Sequence, residues 1–226
     1  MKLKAVFFDI DGTLMASSST GKIALEKAIN IKTGIHNALN NIRLHGNTDL
    51  IIFKKLKEQY PEKNLTENDF KIIKNMYFEF LPEILCKKSV KTPFDGVIEL
   101  LNLLKDLSIK TGLVTGNFRK SAYQKLEATN IASYFISDNI GEFGDFSEER
   151  WEILSHAIKT SGFSSNEIIF IGDTPYDGEA GKRCNIATIG VTTGIYSAGK
   201  LLHSGCDLVL KSLNELDEPL LSSILG

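Results

Sequence analysis

The chain has 226 residues, with 26 Lys and Arg against 28 Asp and Glu for a net charge of -2; 42% of residues are hydrophobic and 24% charged. That length fits one domain or one domain with a sizeable insertion, and that composition excludes a disordered or collagen-like chain. Near-neutral charge leaves no electrostatic footprint for nucleic acid or an anionic membrane, and no apolar run approaches the roughly 18–20 residues of a membrane helix.

In chain order, Ala5-Val6-Phe7-Phe8 reads as a buried strand. Its apolar run is too short for a signal-peptide core and offers no cleavage site. From 16 to 88 the strand signal vanishes. Helical patterns cover 19–32 and 48–59, and Thr66-Glu67-Asn68-Asp69 resembles a capping box before an amphipathic helix over 67–85. After Pro93, apolar spacing from Val97 to Leu107 predicts another helix. Strands at 110–115, 167–171, 186–191 and 207–210 then alternate with helices near 119–129 and 175–184. Such alternation argues βαβ units and a parallel sheet. The expected architecture is an α/β, Rossmann-like core of residues 1–15 and 89–226, with a helical insertion at 16–88. Cys86, Cys184 and Cys206 show no metal-binding spacing and read as reduced thiols of a cytoplasmic protein.

Three strand ends carry candidate chemistry. Asp9-Ile10-Asp11-Gly12-Thr13 places two carboxylates where the first strand stops, and open α/β sheets bind ligands beyond such ends. Asp-Gly also suits a hairpin, but no returning strand follows. Thr115-Gly116-Asn117 offers a hydroxyl and free backbone N–H groups to an anion; an ordinary strand-to-helix turn would look the same. Gly172-Asp173-Thr174-Pro175-Tyr176-Asp177 supplies two more acids, which could also be residues of a helix start. Asp9, Asp11, Asp173 and Asp177 on one rim would repel one another by several kcal/mol per close pair at an effective dielectric near ~20. A hard cation with oxygen ligands relieves this, which points to Mg²⁺. A bound phosphate also needs a fixed positive group. Between Lys125 and Lys159 the only Lys or Arg is Arg150. It follows Ser147-Glu148-Glu149, read as an N-cap and an acidic first turn, so Arg150 opposes the helix dipole as functional residues sometimes do.

These four pieces, in this order, resemble the haloacid dehalogenase-like (HAD) superfamily of hydrolases, in its phosphoglycolate-phosphatase-like branch with an α-helical cap. Asp9-Ile10-Asp11-Gly12-Thr13, Thr115, Arg150 and Gly172-Asp173…Asp177 look like its four motifs. The resemblance implies that Asp9 is the nucleophile, Asp11 the acid and base, and Thr115 and Arg150 the holders of phosphate oxygens. It implies magnesium bound by Asp9, the main-chain carbonyl of Asp11, and Asp173, with Asp177 as ligand or neighbour. Dehalogenases of the superfamily lack an acid at the position of Asp11, so phosphoryl transfer is expected.

Departures from the family pattern are Arg150-Trp151 in place of the usual Lys, often followed by Pro, and Ala16-Ser17-Ser18 and Thr20-Gly21-Lys22 where many sugar phosphatases and phosphomutases carry an acid and, further on, a His. In the loop His45-Gly46-Asn47-Thr48-Asp49, similar caps often have Arg at the position of Asn47. Gly116, Asn117, Asn47 and Thr48 are the expected substrate contacts. Lys22 and His45 could face the cleft but read more simply as a solvated helix lysine and an inert loop histidine, Trp151 as packing on the core beside Arg150, and Tyr176 as lining the entrance. The expected activity is a phosphatase of small phosphomonoesters, phosphoglycolate-like or small sugar phosphates. The alternatives are a sugar phosphomutase and a non-catalytic module phosphorylated on Asp. The expected partner is a small phosphorylated metabolite, with no nucleic acid or membrane, for a monomer or homodimer.

Overall fold

The computed structural model describes residues 3–16, 19–88 and 92–224, apart from the side chains of 222 and 224. Ser17, Ser18 and the expected boundary at 88/89 touch positions outside the described residues. The first strand, β1 (Ala5–Phe8), is followed by α1 (Thr20–Thr33), α2 (Asp49–Gln59), α3 (Glu67–Lys87) and α4 (Val97–Asp106) before β2 (Lys110–Val114). Next come α5 (Arg119–Ala128), α6 (Ser133–Ile136), β3 (Ile140–Glu142), α7 (Arg150–Ser161), β4 (Ile168–Gly172) and α8 (Pro175–Cys184). The chain finishes with β5 (Ala187–Val191), α9 (Ala198–Ser204), β6 (Leu208–Leu210) and α10 (Glu218–Ile224).

All six strands pair in parallel, in the order β3-β2-β1-β4-β5-β6. This is a Rossmann-like doubly wound sheet. Both faces are covered, which is why β1 and β4 are apolar without alternation. Ala5, Phe7, Ile168 and Phe170 pack into one core with Ile153, Leu154 and Ala180. Val6, Phe8, Ile169 and Ile171 face the other, which continues into Ala24, Leu25, Ile73 and Leu81 of the helical segment. Within that segment Thr66 and Asp69 form the expected capping box at the start of α3. No described helix is long and apolar enough to cross a membrane.

Four of the labelled elements escape the sequence reading. The edge strand β3 has only three residues and no apolar run, and α6, α9 and α10 are four, seven and seven residues long. One local expectation is corrected. Helix α7 begins at Arg150 with Glu149 as its N-cap, so Ser147 is not the cap. The Ser147 hydroxyl instead accepts from the Glu149 N–H and donates to Glu152 Oε2 at 2.5 Å, tying the approach loop to the first turn. Arg150 therefore sits at the first helical position, not the third.

Candidate active site

Parallel pairing brings the carboxyl ends of β2, β1 and β4 side by side, with β1 in the middle. Asp9 leaves β1, Thr115 leaves β2 and Asp173 leaves β4, and all three are buried. They line one cavity of about 210 Å³ together with Asp11, Gly116, Asn117, Lys125, Arg150 and Thr174.

Oxygen atoms of Asp9, Asp173 and Asp177 lie within 4.8 Å of one another. At that separation each charged pair repels by roughly 3 kcal/mol for an effective dielectric near 20. Burial, reinforced by Asp9 and Asp177, pushes the Asp173 carboxyl up to about 9, although a hydrogen bond from Thr13 at 3.2 Å works the other way. Burial likewise raises Asp177 to about 6, against the pull of Arg150. A side chain at Gly12, whose φ is +88°, or at Gly194 would collide with the Asp173 carboxylate, so both glycines shape its seat. Asp177 is committed on one oxygen: Oδ2 accepts from the Thr174 N–H at 3.0 Å and hydroxyl at 2.7 Å as the capping box of α8. Its Oδ1 is buried without a hydrogen bond. Three buried carboxylates, one with an orphaned oxygen, form an all-oxygen donor set that suits a hard divalent cation.

Arg150 reaches this cluster from α7. Its Nη1 donates to Asp9 Oδ1 and to the Val114 carbonyl, both at 3.1 Å, and its Nε lies 3.4 Å from Asp177 Oδ1. Burial disfavours its charge, but Asp9 and Asp177 outweigh that and raise its pKa. The Thr115 hydroxyl oxygen accepts from the Asn117 side chain at 2.8 Å, which leaves its own proton free to donate into the cavity.

The helical segment supplies the opposite wall through Leu25, Leu39, Leu44, His45, Asn47, Asp49 and Ile52. Backbone contact is close here: a Cβ on Gly116 would stand 2.8 Å from the Asn47 carbonyl oxygen, so only glycine admits the loop. The Asp49 N–H donates to the Gly116 carbonyl, and the Phe118 N–H donates to Asp49 Oδ2, both at 2.8 Å. Burial lifts the Asp49 carboxyl to about 6, against the Phe118 N–H and Lys125. Lys54–Glu148 and Lys74–Asp145 ion pairs add to the seam.

The expected substrate contacts divide. Gly116 and Asn117 line the cavity, and so does Asn47, although its amide nitrogen is turned to the Arg43 carbonyl at 2.5 Å. Thr48 lies outside the cavity wall: it caps α2 and donates to the Glu148 carbonyl at 3.2 Å. Lys22 and His45 are in the wall, with Lys22 bonded to Asn40 at 3.0 Å. Trp151 packs against the second core and lies under the Arg183 guanidinium. Tyr176 lies under Arg43, which donates to Tyr196.

Lys125 is a charged cavity residue that the sequence reading does not assign to the site. It is 3% exposed, with Nζ 2.5 Å from Asp11 Oδ2 and 2.7 Å from Asn117 Oδ1. A signal existed nonetheless: on α5, Lys125 falls on the buried face with Ser121, Ala122 and Leu126, where a lysine needs a partner.

The family model described as haloacid dehalogenase-like hydrolase matches residues 6–191. The chain is 27% identical over 227 residues to a phosphoglycolate phosphatase of Vibrio parahaemolyticus, covering 96% of this chain and 95% of that one. It is 26% identical over 219 residues to the pyrophosphatase PpaX of Bacillus velezensis, with 95% of each covered. Among solved structures, a HAD hydrolase of Entamoeba histolytica superposes with a TM-score of 0.77 at 22% identity, over 99% of both chains. The motif residues meeting at the three strand ends, the Rossmann-like sheet and the match over most of the sequence agree: the chain belongs to the haloacid dehalogenase-like hydrolase family.

Proposed function

We propose that the chain is a magnesium-dependent phosphatase of small phosphomonoesters, working through a phosphoryl-aspartate on Asp9. The observation that carries this reading is the buried Asp9 carboxylate at the cavity floor, gripped by Arg150, with Asp11 two residues on and Thr115 alongside. Asp9 attacks phosphorus, the ester P–O bond breaks, and a proton from Asp11 goes to the departing alkoxide. Water then attacks the phosphorylated Asp9 and gives its proton to Asp11. The P–O bond to Asp9 breaks and inorganic phosphate leaves. Thr115 and Arg150 hold phosphoryl oxygens throughout, so that positioning and charge supply most of the rate. Magnesium held by Asp9, the Asp11 main-chain carbonyl and Asp173, with Asp177 beside them, would neutralise charge on the transferring group.

The segment 16–88 acts as a cap in this reading, its loop at Asn47 and Asp49 seated on Gly116 and Phe118. A cavity of about 210 Å³ favours a small ester, phosphoglycolate-like or a small sugar phosphate. Three free cysteines accord with a cytoplasmic enzyme, acting as a monomer or homodimer on a small phosphorylated metabolite.

The test is phosphate release from a panel of small phosphomonoesters, with Mg²⁺ or EDTA, for wild type and Asp9→Asn. Metal-dependent release that falls by about 10³-fold or more in the variant supports the reading, since covalent catalysis has no substitute nucleophile there. Folded wild type that releases nothing refutes it. A sugar bisphosphate retained instead indicates a mutase, and a lasting phosphoryl-Asp9 a switch.

A further inference from the structure

We propose that Lys125 is a positioning residue for phosphoryl transfer: with Asn117 it clamps one oxygen of Asp11 and thereby aims the other at the leaving-group oxygen. The inference rests on the reading of Asp11 as proton donor. Asp11 Oδ2 accepts from Lys125 Nζ at 2.5 Å and from Asn117 Nδ2 at 2.9 Å. The other oxygen, Oδ1, is buried and has no partner. The clamp is cross-braced, because Lys125 also donates to Asn117 Oδ1 at 2.7 Å and Asn117 donates to Thr115 Oγ1 at 2.8 Å. Donor, bridge and phosphate-binding hydroxyl are therefore one hydrogen-bonded unit.

The surroundings keep that unit in place. Lys125 projects from the buried face of α5, with its side chain only 4% exposed. A buried ammonium persists only where it is paired. Facing it is Gly21: a Cβ there would lie 3.8 Å from Lys125 Nζ and 3.6 Å from the Tyr77 hydroxyl, so a larger side chain would meet the ammonium. Lys125 is distinct from Arg150, which grips Asp9 from α7. One cation holds the nucleophile and the other holds the acid.

A clamp on the acid matters only when the leaving group needs a proton. Phosphoglycolate releases glycolate as an alkoxide that needs one, whereas acetyl phosphate, of similar size, releases acetate, which does not. The readout is kcat/KM, which covers transfer to Asp9, taken as the ratio of phosphoglycolate over acetyl phosphate. General-acid catalysis contributes roughly 10²–10⁴-fold, so Asp11→Asn lowers the ratio by about 10²-fold or more. Lys125→Met is expected to lower it by about 10-fold or more, with a melting transition showing that the variant is folded. A ratio within about 3-fold of wild type in Lys125→Met, when Asp11→Asn shifts it, overturns the clamp, since a purely structural role slows both substrates alike. Should Lys125→Met not fold, Asn117→Ala removes the second anchor and must lower the same ratio. If it does not, the clamp is refuted. If Asp11→Asn leaves the ratio unchanged, the reading of Asp11 fails and this inference falls with it, and loss of both reactions in Asp9→Asn shows separately that the nucleophile stands.

Discussion

The carboxylate cluster makes a quantitative prediction for the metal-free protein. An acid whose pKa is higher folded than unfolded binds its proton more tightly when folded, so its contribution to stability falls as pH rises between the two values. For Asp173 those values are 3.8 and about 9. One such proton gives a slope of about -1.4 kcal/mol per pH unit. Between pH 6 and 8.5 the EDTA-treated wild type should therefore lose about 3 kcal/mol through this group. Asp173→Asn keeps the shape and the acceptor for Thr13 but carries no charge. It should remove most of that slope and be more stable than wild type at pH 8.5 without metal. Saturating Mg²⁺ should reverse the order, adding roughly 3 kcal/mol to wild type at a hundred times its Kd and little to the variant. Urea titrations at three pH values, with EDTA and with Mg²⁺, measure all four quantities. A metal-free variant less stable than wild type at pH 8.5, with an unchanged slope, would refute repulsion as the dominant force in the cluster.

Gly116→Ala tests the seam between the helical segment and the sheet. A Cβ 2.8 Å from the Asn47 carbonyl oxygen must displace the loop, costing about 1–3 kcal/mol and raising KM more than it lowers kcat. Thermal melts and steady-state kinetics check the two parts. Asp49→Asn removes a carboxylate that burial lifts to about 6. It should stabilise the protein by about 1–2 kcal/mol at pH 8 and by much less at pH 4, where wild-type Asp49 is protonated in the fold. Equal effects at both pH values would rule out this charge as the cause.

The parallel sheet was legible because its strands are buried on both faces and so stand out as apolar runs such as Ile168-Ile169-Phe170-Ile171. Short edge elements were not: Ile140–Glu142 joins the sheet through backbone pairing with β2, which leaves no mark on side-chain pattern. The start of α7 was misplaced for a related reason. Ser147 has an N-cap residue's chemistry, but its hydroxyl is used across the loop by Glu149 and Glu152.

The sequence by itself determined which groups leave the strand ends. Asp9, Thr115 and Asp173 follow directly from where apolar runs stop, and a parallel sheet must put such ends on one side. Only the tertiary structure decided what those groups touch. Lys125 and Asp11 are 114 positions apart and Arg150 and Asp9 141, and no local periodicity encodes partners at such separations. The placement of α5 and α7 determines that Lys125 holds Asp11 and Arg150 holds Asp9. It likewise leaves Thr48 outside the cavity that Asn47 and Asp49 help to line.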